Sequence, residues 1–87
     1  MIFLIEYDRR TRRTLVFETF GDDQRHAAQD ERLRLELHLN RRGLLLDREV
    51  VLLEARDTEH LRRTHDRYFE HLPEGVSHRY VLDNVRA

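Results

Sequence analysis

The chain contains no cysteine and no lysine, and only one proline and three glycines among 87 residues. Without cysteine there is no disulfide, no thiol nucleophile and no cysteine-ligated metal. Without lysine there is no amine for Schiff-base chemistry. Serine occurs once, at Ser77, and the few glycines read better as stops or turns. A serine elbow and a glycine-rich phosphate loop are both missing. No apolar stretch approaches the roughly 18 residues of a membrane span. Met1-Ile2-Phe3-Leu4-Ile5 meets Glu6 too early for a signal sequence and has no basic segment before it. The expected location is therefore the cytoplasm, with no membrane partner.

What is present is charge and leucine. Charged residues make up 38% of the chain and apolar residues 39%, with a net charge of −1. The charged share is well above the usual figure of about 25%, but its signs are balanced and mixed. With this much leucine, that favours a folded domain over a disordered segment. The length suits one domain, residues 1–87. All sixteen basic residues are arginine, which fits a GC-rich coding bias and also suits bidentate contacts to phosphate or carboxylate.

Ile2 to Asp8 and Thr14 to Phe20 are strand-like and rich in β-branched and aromatic residues. Arg9-Arg10-Thr11-Arg12-Arg13 joins them as a hairpin tip without glycine, asparagine or proline, so the turn type and register stay open. Both strands are apolar on both faces. A helix layer is expected on one face and some other cover over part of the second. Gly21 ends the hairpin, and Asp22 or Asp23 can cap a following helix.

From Asp23 to about Arg42 the residues are helix formers, closed by Gly43. Within this stretch Leu33, Leu35, Leu37 and Leu39 alternate with polar residues, which a half-buried strand would also do. As a helix, Ala28, Leu35 and Leu39 share an arc of about 40°, with Leu33 and Leu37 nearly opposite. No β-branched residue occurs between Arg25 and Arg48, which favours the continuous helix.

Glu49 to Glu54 encloses an apolar run expected to form a central strand. A second helix is expected from a cap at Asp57 or Thr58 to Leu72, before Pro73. Leu61, His65, Tyr68 and Leu72 would line its inner face. Pro73-Glu74-Gly75 reads as a turn. Residues 76–87 could add an edge strand around His78–Leu82, cross to a partner or stay loose. The fold class is α+β: a two-layer β-β-α-β-α arrangement in which two helices cover a small mixed sheet.

Four constellations bear on function. Arg9, Arg10, Arg12 and Arg13 form a positive tip that could hold phosphate or an acidic partner, although no aromatic is interleaved to stack on bases. His65, on an apolar helix face, reads as a buried polar group bonded to a carbonyl or carboxylate. The histidines His60, His65 and His71 lack metal-ligand spacing, and no cofactor is expected. Leu33 and Leu37, extended by Leu44, form an apolar ridge with nothing in the chain to cover it.

The run Val50-Val51-Leu52-Leu53-Glu54-Ala55-Arg56-Asp57, followed by a helix, resembles the strand-to-helix step of ribonuclease-H-like nucleases. That resemblance implies two divalent ions held by Asp8, Asp57 and Glu31 or Glu36. The chain lacks that family's third strand before the helix and its glycine-rich turn. The reading favoured here is a small cytoplasmic binding module, not an enzyme, acting as a homodimer through Leu33, Leu37 and Leu44. Nucleic-acid binding through the arginine tip is the alternative.

Overall fold

A computed structural model of the protein describes residues 1–70 and 79–81. In chain order the elements are β1 (Ile2–Asp8), β2 (Arg13–Phe20), a 3-10 turn (Asp22–Gln24), α1 (Arg25–Arg41), β3 (Arg48–Glu54), α2 (Thr58–Thr64), a second 3-10 turn (Asp66–Phe69) and β4 (Arg79–Val81). The α+β class is as expected: a hairpin and a third strand form a sheet, with helices packed against it. The end of the expected second helix at Leu72, the turn at Pro73–Gly75 and most of the 76–87 segment lie outside the described residues.

The sheet order is β3-β1-β2-β4 and every pairing is antiparallel. Two expectations are corrected here: the sheet is not mixed, and β3 lies at its edge, with β1 in the middle. The cause is the length of α1. Its 17 residues span about 25 Å, enough to carry the chain from the Phe20 end of the sheet to the Asp8 end. β3 must then run back beside β1, with Asp8 opposite Arg48 and Ile2 opposite Glu54. Its apolar run suits an edge position because each face is partly covered: Val50 and Leu52 pack against one cluster and Val51 and Leu53 against the other, all half-buried.

β1 is buried on both sides. Ile2 and Leu4 pack with Val16, Phe20 and the inner edge of α1 (Ala28, Leu35 and Leu39). Phe3, Ile5 and Tyr7 pack with Phe17, Leu61 and Tyr68. One helical layer thus covers each face, which accounts for the apolar groups on both sides of the strands. A shift in register between Glu6 and Tyr7 leaves Leu15 as an extra residue in β2, a bulge of the kind that bends and twists a ribbon.

The helix ends follow local chemistry. The 3-10 turn places Asp22 and Asp23 inside the first turn and not at the cap. There Gln24 Oε1 accepts from the Gly21 amide at 2.8 Å. At the other end, Gly43 has φ of 68°. Leu44 N donates to Leu39 O at 2.9 Å and Gly43 N to Asn40 O at 3.1 Å, the paired bonds of a Schellman cap. Leu44 follows that cap inward and packs against the core.

α2 starts as expected, with the Asp57 side chain accepting from His60 N at 2.8 Å. It breaks at His65, whose backbone (φ −138°, ψ 53°) leaves the helical region, so the expected continuous helix is two short pieces. The hairpin turn is left-handed at Arg12, with φ of 60°. Asp8 holds it, accepting from Arg10 N at 2.9 Å and Thr11 N at 3.4 Å.

These two left-handed positions predict opposite outcomes. No heavy atom would crowd a Cβ at Gly43, so the cost of Gly43→Ala is conformational, about 1–2 kcal/mol less stability. Arg12→Gly removes the same kind of strain at Arg12 and is expected to be neutral or stabilising by up to about 1 kcal/mol. Urea denaturation of both variants checks the pair.

Candidate interaction site

α1 resolves the leucine pattern as a helix with two edges. Leu35 and Leu39 are 3% and 1% exposed, while Leu33 and Leu37 are 57% and 48% exposed. The outer edge also carries, by helical phase, His26, Asp30 and Arg41. His26 Nε2 lies 3.5 Å from Asp30 Oδ2. Arg34 pairs with Glu31, and Arg32 Nε lies 3.5 Å from Glu36 Oε1. On the sheet side of the helix Arg25 pairs with Glu54 of β3, which fixes the helix over that strand. Leu44 belongs to the core margin and not to the ridge. The exposed leucines after the helix are Leu45 and Leu46, the latter 91% exposed.

The arginine tip is only partly free. Arg9 Nη1 donates to Leu46 O at 3.0 Å, and Arg10 Nη1 lies 3.9 Å from Asp47 Oδ2. Arg12 and Arg13 are exposed and face no acidic partner among the described residues. The carbonyl orients Arg9 without cancelling its charge, and only Arg10 has a carboxylate nearby, so the tip stays positive.

The nuclease-like carboxylates are not brought together. Asp8 and Asp57 flank opposite ends of a β1–β3 ladder about 20 Å long. Glu31 and Glu36 are paired with arginines on α1. No group of three or more His, Asp or Glu side chains that could hold a metal ion occurs among the described residues. The ion-pair geometry of that reading is absent, because β3 returns antiparallel and carries Asp57 away from Asp8. His65 is half-buried and not fully buried, at the point where α2 breaks. Its ring stacks on Tyr68 at 6.1 Å, and its Nδ1 lies 2.8 Å from Thr64 Oγ1.

Two polar clusters were not singled out from sequence. On the α1 face Glu6 is wholly buried and paired with Arg48, whose Nε also lies 3.9 Å from Asp8 Oδ2. Glu6 Oε1 and His38 Nε2 are both buried without a hydrogen-bond partner among the described residues. Burial pushes the Glu6 carboxyl above its ordinary pKa of 4.5; the Arg48 hydrogen bond and charge, and then His38, pull the other way. Burial also acts against ionised Asp8, but the Arg10 and Thr11 donors together with Arg48 outweigh it and hold its pKa below the ordinary 3.8.

On the other face Tyr68 Oη donates to Glu49 Oε2 at 2.8 Å, and Arg67 Nη2 donates to the same oxygen at 2.7 Å. The Arg67 guanidinium lies 4.6 Å from the Tyr68 ring centroid and 5.2 Å from that of Tyr7. Thr14 Oγ1 donates to Tyr68 O at 2.6 Å, tying this cluster to β2. Burial, with Glu49 beside it, pushes the Tyr68 hydroxyl up, so it stays protonated and acts as a donor. Both clusters join elements of the fold to one another.

No family model matches the chain, and neither curated proteins nor solved structures give a match. No helix among the described residues is long and apolar enough to cross a membrane.

The sign of the Glu6 effect is testable. A raised pKa means the folded state holds the proton more tightly, so this group's contribution is best at acidic pH and declines as pH rises above 4.5 through the raised value. The stability of wild type relative to Glu6→Gln is expected to fall across that window, measured by urea midpoints at stepped pH. A flat difference would contradict it.

Proposed function

We propose that this chain is a cytoplasmic binding module that works as a homodimer, with the outer edge of α1 in the contact. The observation that carries the reading is the pair Leu33 and Leu37, roughly half exposed on a helix whose other edge is fully buried. Apolar surface concentrated in this way generally marks an interaction site. Two-fold pairing is the commonest way for one chain to cover such a surface. Charge supports an antiparallel crossing: Asp23 precedes the helix, beside an Asp22 paired with the N-terminal amine, and Arg41 ends it. Each acidic end then meets a partner's basic end.

Magnitudes limit what the leucines supply. Four half-exposed leucines, counted on both chains, contribute on the order of 3–6 kcal/mol. Association costs about 4–15 kcal/mol. The ridge alone falls short over most of that range, so a stable dimer needs further contact.

Sedimentation at micromolar protein is expected to show a dimer. Leu33→Glu combined with Leu37→Glu is expected to give a folded monomer, because neither side chain contributes to the core. Unfolding of that double variant would mean the ridge is part of the core, and a monomeric wild type would count against the whole reading.

A second reading, nucleic-acid or acidic-partner binding at the hairpin tip, draws on the exposed Arg12 and Arg13. It expects retention on RNA or DNA that weakens steeply with salt. Replacing Arg9, Arg10, Arg12 and Arg13 by glutamine would abolish that retention. Unchanged retention in the quadruple variant would end this reading.

A further inference from the structure

β3 offers a second surface through which two copies can meet. Its outer side carries no strand among the described residues, since the order is β3-β1-β2-β4. The hydrogen-bond phase shows which backbone groups face that side. At the two ends of the β1–β3 ladder, Ala55 N donates to Met1 O and Arg9 N to Asp47 O. Hydrogen-bonded and non-bonded pairs alternate along an antiparallel ladder. The odd-numbered residues of β3 therefore bond to β1, and Arg48, Val50, Leu52 and Glu54 turn their N–H and C=O groups outward. Arg48 N is taken by Leu44 O at 3.1 Å; the amides of Val50, Leu52 and Glu54 meet no partner among the described residues.

Edges of this kind are normally blunted by a bulge, a proline, a lysine or a short length. β3 has seven residues and no proline or lysine, and its register with β1 is unbroken. It is an edge of four apolar residues, Val50 to Leu53, between charged ends, closed at one end by the Leu44 carbonyl on Arg48 N and with no strand beside it among the described residues.

We infer that β3 pairs antiparallel with β3 of a second copy about a two-fold axis through Val51, joining the two sheets into one. The inference rests on the homodimer reading and moves the contact from the helix ridge to the strand edge. Phase and charge select the register. Outward groups must meet outward groups, so Val50 pairs with Leu52 of the other copy and Arg48 stands opposite Glu54. A shift of two residues one way sets Arg48 opposite Arg56; a shift the other way sets it opposite Leu52. The Val51-centred register sets end charges of opposite sign against each other, Arg48 and Glu54 each also holding a partner within its own copy, Glu6 and Arg25, and puts apolar residues between them.

The helix agrees with this axis. α1 runs antiparallel to β3, with Arg25 paired to Glu54 at one end and Leu44 bonded to Arg48 at the other. The middle of the helix, near Leu33, therefore lies above Val51. A two-fold axis normal to the sheet puts both α1 helices on the same face, side by side and antiparallel; by helical phase Arg25, Gln29, Arg32 and Glu36 border the seam between them, while Leu33 and Leu37 lie on the side away from the sheet.

The test uses the full chain, whose lack of cysteine makes an introduced one unambiguous. At a non-hydrogen-bonded antiparallel pair the Cα atoms lie about 4.5 Å apart, within the disulfide range of about 4.4–6.8 Å. Val51→Cys is expected to convert to a cross-linked dimer under mild oxidation, whereas Leu53→Cys, displaced from the axis, stays uncross-linked. In the unmodified chain, hydrogen exchange reads the same contact without mutation. The Val50 and Leu52 amides are expected to exchange within about tenfold of the rates of Val51 and Leu53, and to speed up on dilution below the dimer range.

A dimer by sedimentation with fast Val50 and Leu52 amides and no Val51→Cys cross-link overturns the edge pairing and leaves the homodimer reading standing. A monomer by sedimentation overturns both. Slow amides in a monomer mean that the chain covers its own edge, which also overturns the inference.

Discussion

At about 100° per residue, a helix through Leu33–Leu39 cannot hide all four of its leucines against one sheet. α1 gives Leu35 and Leu39, with Ala28, to the face formed by Ile2 and Leu4, and leaves Leu33 and Leu37 in water. Much else follows from that phase. The helix spans the sheet and delivers the chain to the far end, so β3 returns antiparallel beside β1 and becomes an edge. The Schellman cap at Gly43 directs Leu44 into the core and points Leu46 out. Cover for the opposite face of β1 is left to α2 and the 3-10 turn, which supply Leu61 and Tyr68.

Period and propensity made most of the architecture legible in the residues. β-Branched and aromatic positions marked the hairpin, the lack of β-branching marked α1, and Gly43 and Asp57 marked helix ends. Apolar positions on both faces of β1 already called for two covers. The position of β3 was misread because a continuous apolar run says that both faces are covered, not that both edges are paired. The break of α2 falls at Thr64-His65-Asp66, three weak helix formers in a row. Tertiary packing acts there too, drawing Tyr68 onto Tyr7 and Glu49.

The ridge was legible for the same reason as the helix, since helical phase alone separates Leu33 and Leu37 from Leu35 and Leu39. Leu44 was misassigned because its direction depends on the left-handed turn at Gly43 and not on the helix. The buried pair Glu6–Arg48 left a signal that was passed over: period two places Glu6 on the same face as Ile2 and Leu4, where a carboxylate needs a cation. The Glu49–Arg67–Tyr68 cluster joins residues 18 and 19 positions apart and left no local trace. The nuclease-like carboxylates looked plausible only while β3 could run parallel to β1; once its direction was reversed, Asp8 and Asp57 separated.

The central claim is that α1 has one edge inside the protein and one outside it. Single Leu→Gln substitutions at Leu33, Leu35, Leu37 and Leu39, measured by urea denaturation at a concentration low enough to keep the chain monomeric, test it most directly. The account predicts an alternating result: losses of about 2–5 kcal/mol at Leu35 and Leu39, and changes within about 0.5 kcal/mol at Leu33 and Leu37. Losses of similar size at all four positions would contradict it.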